Sequence, residues 1–464
     1  MTPEALKFLD LPAGLDEAGG PPLPLHSARP EDWNALAANL PGATAHANLL
    51  NFNCEAGRVL LLPGENGALV GAVLGLGSGD VIPGFGAAAA ALPAGSLWRI
   101  MPGNFATEDA ELGFLLGAYR YRTQKAKVPL FANLAGTTPR SRIIAGSVML
   151  TRELINTPAN LLGPAELAEA AMAIAARFGA QAETVRGDAL AKRFPTINAV
   201  GAGSDRTPAA VIFKWQGSQA GDGAPLISLC GKGVCFDTGG YNLKPGASMR
   251  LMRKDMGGAA ISLGLAASIM ALDLPVALEL RIGCVENSVS GHAMRPSDIL
   301  RTRAGITVEV GDTDAEGRLV LCDLLDEACE SRPDWLIDIA TLTGAARVAL
   351  GPDLPALFCN DDKMAEGILS AGRETGDELW RLPLHGSYAS WLESPFADLN
   401  NISAKPFAGA ITAALFLQYF VSKQISWAHI DTYAWNDATR PGKPEGGEAQ
   451  TLQALLAAIE HISK

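Results

Sequence analysis

Two short segments of this 464-residue chain hold most of its candidate chemistry. The first is Gly231-Lys232-Gly233-Val234-Cys235-Phe236-Asp237-Thr238-Gly239-Gly240, continuing through Lys244 to Arg253-Lys254-Asp255-Met256-Gly257-Gly258. The second is Gly311-Asp312-Thr313-Asp314-Ala315-Glu316-Gly317-Arg318. It follows Ile306–Val310, which alternates like a strand. If the backbone stays extended, Asp314, Glu316 and Arg318 share one face and the small residues between them the other. Carboxylates gathered this closely repel each other, so a cation partner is expected.

Several alternatives can be weighed on the residues themselves. A solvated acidic turn is the bland reading of any Asp-x-Glu. A calcium loop would match Asp312, Asp314, Glu316 and Gly317, with Asp323 at the twelfth position. However, its fifth position wants Asp or Asn, its twelfth wants Glu, and a helix should precede it. Gly231-Lys232-Gly233 is not a phosphate loop, because Leu226 and Gly233 stand where Gly and Ser or Thr are required. The chain also lacks a dinucleotide fingerprint and a Gly-x-Ser-x-Gly elbow. In the first segment, Lys232 is expected at the end of a buried strand and Asp237 in a glycine-rich turn, with Asp255 opening a helix. A lysine alone reads as exposed or salt-bridged. Beside carboxylates, burial and divalent cations would lower its pKa and make a neutral amine ligand possible.

The elements that must position these residues alternate along the chain. Pro225–Cys230, Val276–Gly283 and Trp335–Ala340 read as strands, whereas Ala259–Met270 and Arg318–Ala328 read as helices. This predicts an α/β fold in which the active site lies at the carboxyl ends of strands. Earlier, Arg58–Pro63 and Ala68–Leu74 flank a turn at Glu65-Asn66-Gly67, and Glu108–Tyr119 has helical spacing. The polar stretch from Arg122 to Arg140 is broken by Pro and Gly. It separates a smaller N-terminal α/β domain, residues 1–135, from a larger catalytic α/β domain, residues 145–464, whose central mixed sheet is flanked by helices.

Composition sets outer limits. The 37 Lys and Arg against 49 Asp and Glu give a formal charge of −12, so a general nucleic-acid binder is not expected. The start shows no basic-then-apolar signal, and Ala87–Leu92 is too short to cross a bilayer, so no membrane partner is expected. Seven unpatterned cysteines read as reduced core residues of a cytoplasmic protein.

The quoted motifs, together with Glu153–Pro158, Asp338–Ala345, Gly409–Ala414 and Trp427–Asp431, resemble the leucyl (cytosol) aminopeptidase family over nearly all of the chain after about residue 145. The first domain carries no motif that matches. The resemblance implies a two-metal exopeptidase acting on peptide substrates with Leu or another apolar residue first. Asp237 and Glu316 would bridge two divalent ions, Mn or Zn foremost, with Mg or Co as alternatives. Lys232 and Asp255 would complete the tighter site and Asp314 the exchangeable one. Lys244 would polarise the scissile carbonyl. Arg318 would hold bicarbonate, the base toward water shared by the metals. Met252, Thr341 and Gly344 would line the pocket for the first side chain, and the assembly would be a homohexamer. No histidine ligand is expected, so His292 and His429 are assigned to the core or to a layer behind the ligands. Two positions depart from the family: Asp312 replaces Asn, and Thr238 replaces Ser while keeping the hydroxyl. A non-catalytic nucleic-acid-binding or regulatory protein on the same scaffold, and a two-metal phosphoesterase, are the competing functions.

Overall fold

The computed structural model describes residues 4–10, 21–64, 67–121 and 131–463. Glu65 and Asn66 of the expected hairpin turn, and residues 122–130 of the expected linker, lie outside them. The chain divides into two compact units, one of Lys7–Met149 with Asn436–Gly446, the other built mainly from Leu150–Trp435 and the segment from Gly447.

The smaller unit contains strands β1 (Leu23–Ala28), β2 (Val59–Pro63), β3 (Leu69–Gly75), β4 (Leu97–Ile100) and β5 (Asn133–Leu134). They form one sheet in the order β2-β3-β1-β4-β5. The expected hairpin is the antiparallel β2–β3 pair, and the other pairings are parallel. The expected helix runs Thr107–Gly117 and buries Phe114 against Leu25, Phe85 and Trp98. The return of the chain at Asn436–Gly446 is announced by no sequence pattern.

The larger unit is organised by an eight-stranded mixed sheet of β6 (Gln181–Arg186), β7 (Ala209–Gln216), β8 (Leu226–Asp237), β9 (Ala277–Asn287), β12 (Trp335–Ala340), β13 (Ala356–Cys359), β14 (Trp380–Arg381) and β16 (Ser426–Asp431). Short strands β10 (Ile299–Arg301), β11 (Thr307–Glu309) and β15 (Leu399–Asn400) form a separate sheet. In the large sheet the order is β14-β13-β16-β12-β8-β9-β7-β6, with β16, β12, β8 and β9 mutually parallel. Parallel strands covered on both faces read as apolar runs rather than alternations, and β8 is buried along nearly its whole length. Helix Gly257–Ala271 has an almost continuously buried surface, which explains its lack of a polar face.

Two local expectations change. Strand β8 does not stop near Cys230 but continues to Asp237 through an irregularity at Val234–Phe236, so Lys232 projects from mid-strand. Pairing with β9 carries the ladder through Gly-Lys-Gly, residues whose own strand propensity is poor. The second segment is not extended either. β11 ends at Glu309, the chain turns at Thr313–Asp314, and Arg318 already lies in helix Gly317–Glu330. The alternation argument for a shared face therefore fails, although the loop still brings Asp314 and Glu316 together.

Candidate metal centre

Strands β8, β12 and β16 end beside one cavity of about 430 Å³, lined by Lys232, Asp237, Lys244, Asp255, Asp314 and Glu316 on one side. Met252, Thr341 and Gly344 line the same cavity. This is where a sheet of parallel strands leaves a crevice. Arg318 is buried nearby but is not among the lining residues.

The carboxylates of Asp237, Asp255 and Glu316 are all buried, and each offers an oxygen within 4.8 Å of the others. Lys232 Nζ lies 2.9 Å from both oxygens of Asp255 and 2.9 Å from Glu316 Oε1, and donates to the Thr341 carbonyl at 2.9 Å. Lys244 Nζ bridges Asp237 Oδ2 at 2.8 Å and Asp314 Oδ1 at 2.5 Å. Glu316 Oε2 is buried with no hydrogen-bond partner among the described residues. Burial and the neighbouring Asp237 push the Glu316 carboxyl up to about 8, and the same two causes push Asp314 up to about 6. The protein's own groups thus leave a buried carboxylate oxygen unpaired in an anionic pocket. An oxygen-rich donor set of this kind fits a hard divalent cation.

The charge of Lys232 is set by its carboxylate neighbours. Burial lowers its pKa, but Asp255, Glu316 and Asp237 outweigh burial and hold the ammonium well above its ordinary value. A neutral amine at Lys232 therefore requires a cation to take over the surrounding carboxylates. Lys244 is displaced the same way, its burial overcome chiefly by Asp237.

The geometry depends on residues that motif reading passed over. Asp237 Oδ1 accepts from the Gly239 amide and from Asn287 Nδ2, both at 2.8 Å, while Asn287 also donates to the Thr313 carbonyl at 3.0 Å. Asn242 Oδ1 accepts from the Thr313 amide at 3.0 Å, and Thr313 Oγ1 donates to the Gly239 carbonyl at 2.6 Å. Gly239 sits at φ +86°, where a Cβ would lie 2.5 Å from the Asn242 carbonyl oxygen, so glycine is required at this turn. The Thr238 hydroxyl donates to the Asn287 carbonyl at 2.8 Å, so the departure from Ser uses the retained hydroxyl. Asp255 Oδ1 accepts from Thr341 Oγ1 at 2.7 Å. Asn401 accepts from the amides of Gly311 and Asp312, and donates to the carbonyls of Asp312 and Ala315. Apart from the Gly239 amide on Asp237, these contacts join residues far apart along the chain, so no local spacing could have revealed them.

Asp312 is turned inward on its own loop: its Oδ1 accepts the Asp314 amide at 2.8 Å. An asparagine oxygen could accept the same bond, so the extra charge is the substantive difference, and it adds to the upward push on Asp314. Arg318 Nη1 donates to the Asn401 carbonyl at 2.6 Å, whereas its buried Nε has no hydrogen-bond partner among the described residues. Burial pulls the guanidinium down to about 10, and an anion beside Nε would offset that. Lys254, also lining the cavity, is pulled down to about 8, mainly by burial.

Of the two histidines, His429 is buried and pairs with Asp338 at 2.6 Å, as a core residue should. His292 is exposed on a loop after β9, contrary to its assignment to the interior. The cysteines are free, six of them buried and Cys329 half-buried.

The pattern described as cytosol aminopeptidase family, catalytic domain, matches residues 149–456, and that described as M17 aminopeptidase, N-terminal domain, matches residues 23–136. The chain belongs to the cytosol aminopeptidase family. It is 42% identical over 340 residues to a probable cytosol aminopeptidase of Xanthobacter autotrophicus, covering 70% of this chain and 68% of that one. A probable cytosol aminopeptidase of a Synechococcus strain is 36% identical over 482 residues, covering 93% and 98%. Among solved structures, the cytosol aminopeptidase from Coxiella burnetii superposes with a TM-score of 0.91 at 41% identity, covering 96% and 98%. The bottromycin maturation enzyme BotP, solved in complex with Mn, has a TM-score of 0.85 at 30% identity, covering 95% and 99%. The first domain, in which no motif was legible, is thus a recognisable part of the family. Family membership makes this a metal-dependent peptidase of the aminopeptidase class.

Proposed function

We propose that the chain removes an N-terminal residue, Leu or another apolar one, from peptides at a two-metal centre. The observation that carries this reading is the convergence of Asp237, Asp255 and Glu316 with an unpaired Glu316 Oε2. Asp237 and Glu316 would bridge two divalent ions, with Lys232 and Asp255 completing one site and Asp314 the other. Mn is favoured by the relative solved with Mn, and Zn, Mg or Co suit the same donors. When bound, the metals would supply Lewis acidity toward the peptide carbonyl, an anchor for the free amine and an acidified water.

The protein's own groups do the rest. Lys244, drawn from Asp237 and Asp314 toward the substrate, donates to the carbonyl oxygen and stabilises the charge developing there. Thr341 fixes the orientation of Asp255, and Asn287 that of Asp237. Arg318 would hold bicarbonate through its unpaired Nε, positioning a base at the water. Met252, Thr341 and Gly344 form the wall against the first side chain. A homohexamer and a cytoplasmic location follow from the same resemblance. No helix among the described residues is long and apolar enough to cross a membrane.

The test is release of leucine from leucyl amide. It should vanish with a chelator, return with Mn or Zn, and be lost in Glu316→Ala. Full turnover by Glu316→Ala would sink the reading, and a salt-dependent shift of DNA without any turnover would favour the nucleic-acid alternative. Light scattering of the purified protein tests the hexamer.

A further inference from the structure

Most charged groups around the cavity are matched. Lys232 and Lys244 are held by carboxylates. Asp431, which also lines the cavity, accepts from the Leu342 and Thr343 amides and from Thr343 Oγ1. Two cations stand outside this pairing. Lys254 is 6% exposed and places Nζ 4.4 Å from the centre of the Tyr433 ring, and Arg347 places its guanidinium carbon 4.9 Å from the same centre. All three residues line the cavity. Neither cation makes an ion pair or hydrogen bond among the described residues.

We propose that Lys254 and Arg347, gathered on Tyr433, form a clamp for a carboxylate of the substrate. The proposal rests on the aminopeptidase reading and names a substrate class for that site. Asp255 and Asp431 attract the Lys254 ammonium without touching it; a buried ammonium with no carboxylate in contact is costly, and an aromatic face repays only part of that cost. Arg347 on the same ring adds repulsion, which an anion touching both cations would relieve. A pocket serving aliphatic side chains alone needs neither charge. The ammonium supplies a point charge and the guanidinium a planar fork, so one carboxylate can satisfy both. The carboxylate can come from the side chain of an acidic first residue or from the C-terminus of a very short peptide. Both present the same chemistry to the clamp.

The full-length, Mn-loaded enzyme is assayed on two matched pairs, glutamyl amide against glutaminyl amide and Leu-Gly against Leu-Gly amide. In at least one pair the carboxylate-bearing member should have kcat/KM about 10-fold or more above its uncharged partner, as charge-assisted hydrogen bonds would give. Arg347→Gln and Lys254→Met should each reduce that ratio about 10-fold, mostly through KM, while Lys254→Arg restores it. A fall in the glutamyl pair assigns the clamp to the first side chain, and a fall in the dipeptide pair assigns it to the C-terminal carboxylate. If neither ratio falls in either variant while the uncharged compounds are hydrolysed, the clamp is overturned. Calorimetric binding of the same four compounds judges the clamp independently. Loss of all turnover by the wild-type protein would count against the peptidase reading, and equal binding within both pairs against the clamp. Arg347 is exposed on its helix, so Arg347→Gln carries the test even if Lys254→Met does not fold.

Discussion

Replacing Gly317 with alanine should disable the centre without unfolding the protein. Gly317 begins the helix that follows Glu316, and a Cβ placed on it would lie 2.6 Å from Lys232 Cε, 2.7 Å from Nζ and 2.8 Å from Cδ. Ordinary carbon contacts need about 3.5–4.0 Å, so the lysine must retreat by about 1 Å. Its Nζ is currently 2.9 Å from both Asp255 and Glu316, and that retreat removes the contacts together. A misplacement of about 1 Å at a reacting centre costs about 100-fold, equivalent to about 2.7 kcal/mol of transition-state stabilisation. Folding should respond less. Alanine gains up to about 1 kcal/mol over glycine in a helix, against an overpacking cost of about 1–3 kcal/mol. Leucyl amide turnover at saturating Mn, read alongside thermal unfolding, separates the two effects. A cycle with Lys232→Met isolates the cause, because Gly317→Ala should add little once Lys232 is gone. Undiminished turnover in Gly317→Ala, or fully additive penalties in the double variant, would refute the reasoning.

Thr341→Val removes the hydroxyl that orients Asp255 while keeping the shape. Isothermal titration should show metal affinity about 10-fold or more weaker, the usual consequence of losing a group that holds a ligand. Asp312→Asn should keep the bond to the Asp314 amide and hence the fold. Asp312→Ala should lose both the turn and activity, and the two variants compared by turnover and circular dichroism check this. His429 predicts a pH dependence. Burial lowers its pKa, but Asp338, 2.6 Å away, raises it further, leaving a net rise above the ordinary value of about 6.5. Its stabilising contribution is therefore complete below about 6.5 and declines as pH rises through the folded value. Thermal unfolding of wild type against His429→Gln, at fixed Mn from about pH 6 to about pH 9, should show the difference shrinking with rising pH.

The sequence made the alternation of strands and helices legible because buried parallel strands and buried helices impose distinct lengths and patterns. It also made Lys232, Asp237, Asp255, Asp314 and Glu316 legible, because glycines and charges cluster there in long ordered motifs. It misled where local propensity lost to pairing, as at Gly231-Lys232-Gly233, which β9 draws into one continuous strand. It misled again at Gly311–Glu316, where an assumed strand is a loop clamped by Asn401. The roles of Asn242, Asn287, Asn401 and Asp431 were invisible for one reason. Each acts through contacts tens of residues away along the chain, where no periodicity reaches. Lys254 was hidden differently, since a lysine beside a motif aspartate reads as solvent-exposed until burial and the Tyr433 ring are seen.

The central claim is that the carboxylates of this cavity hold two metal ions. The most direct test is anomalous diffraction from crystals of the wild-type protein grown with Mn. Two peaks about 3.5–4 Å apart are expected, both in contact with Asp237 and Glu316, one also touching Lys232 and Asp255 and the other Asp314. An absence of peaks there, or Mn bound only elsewhere, would contradict it.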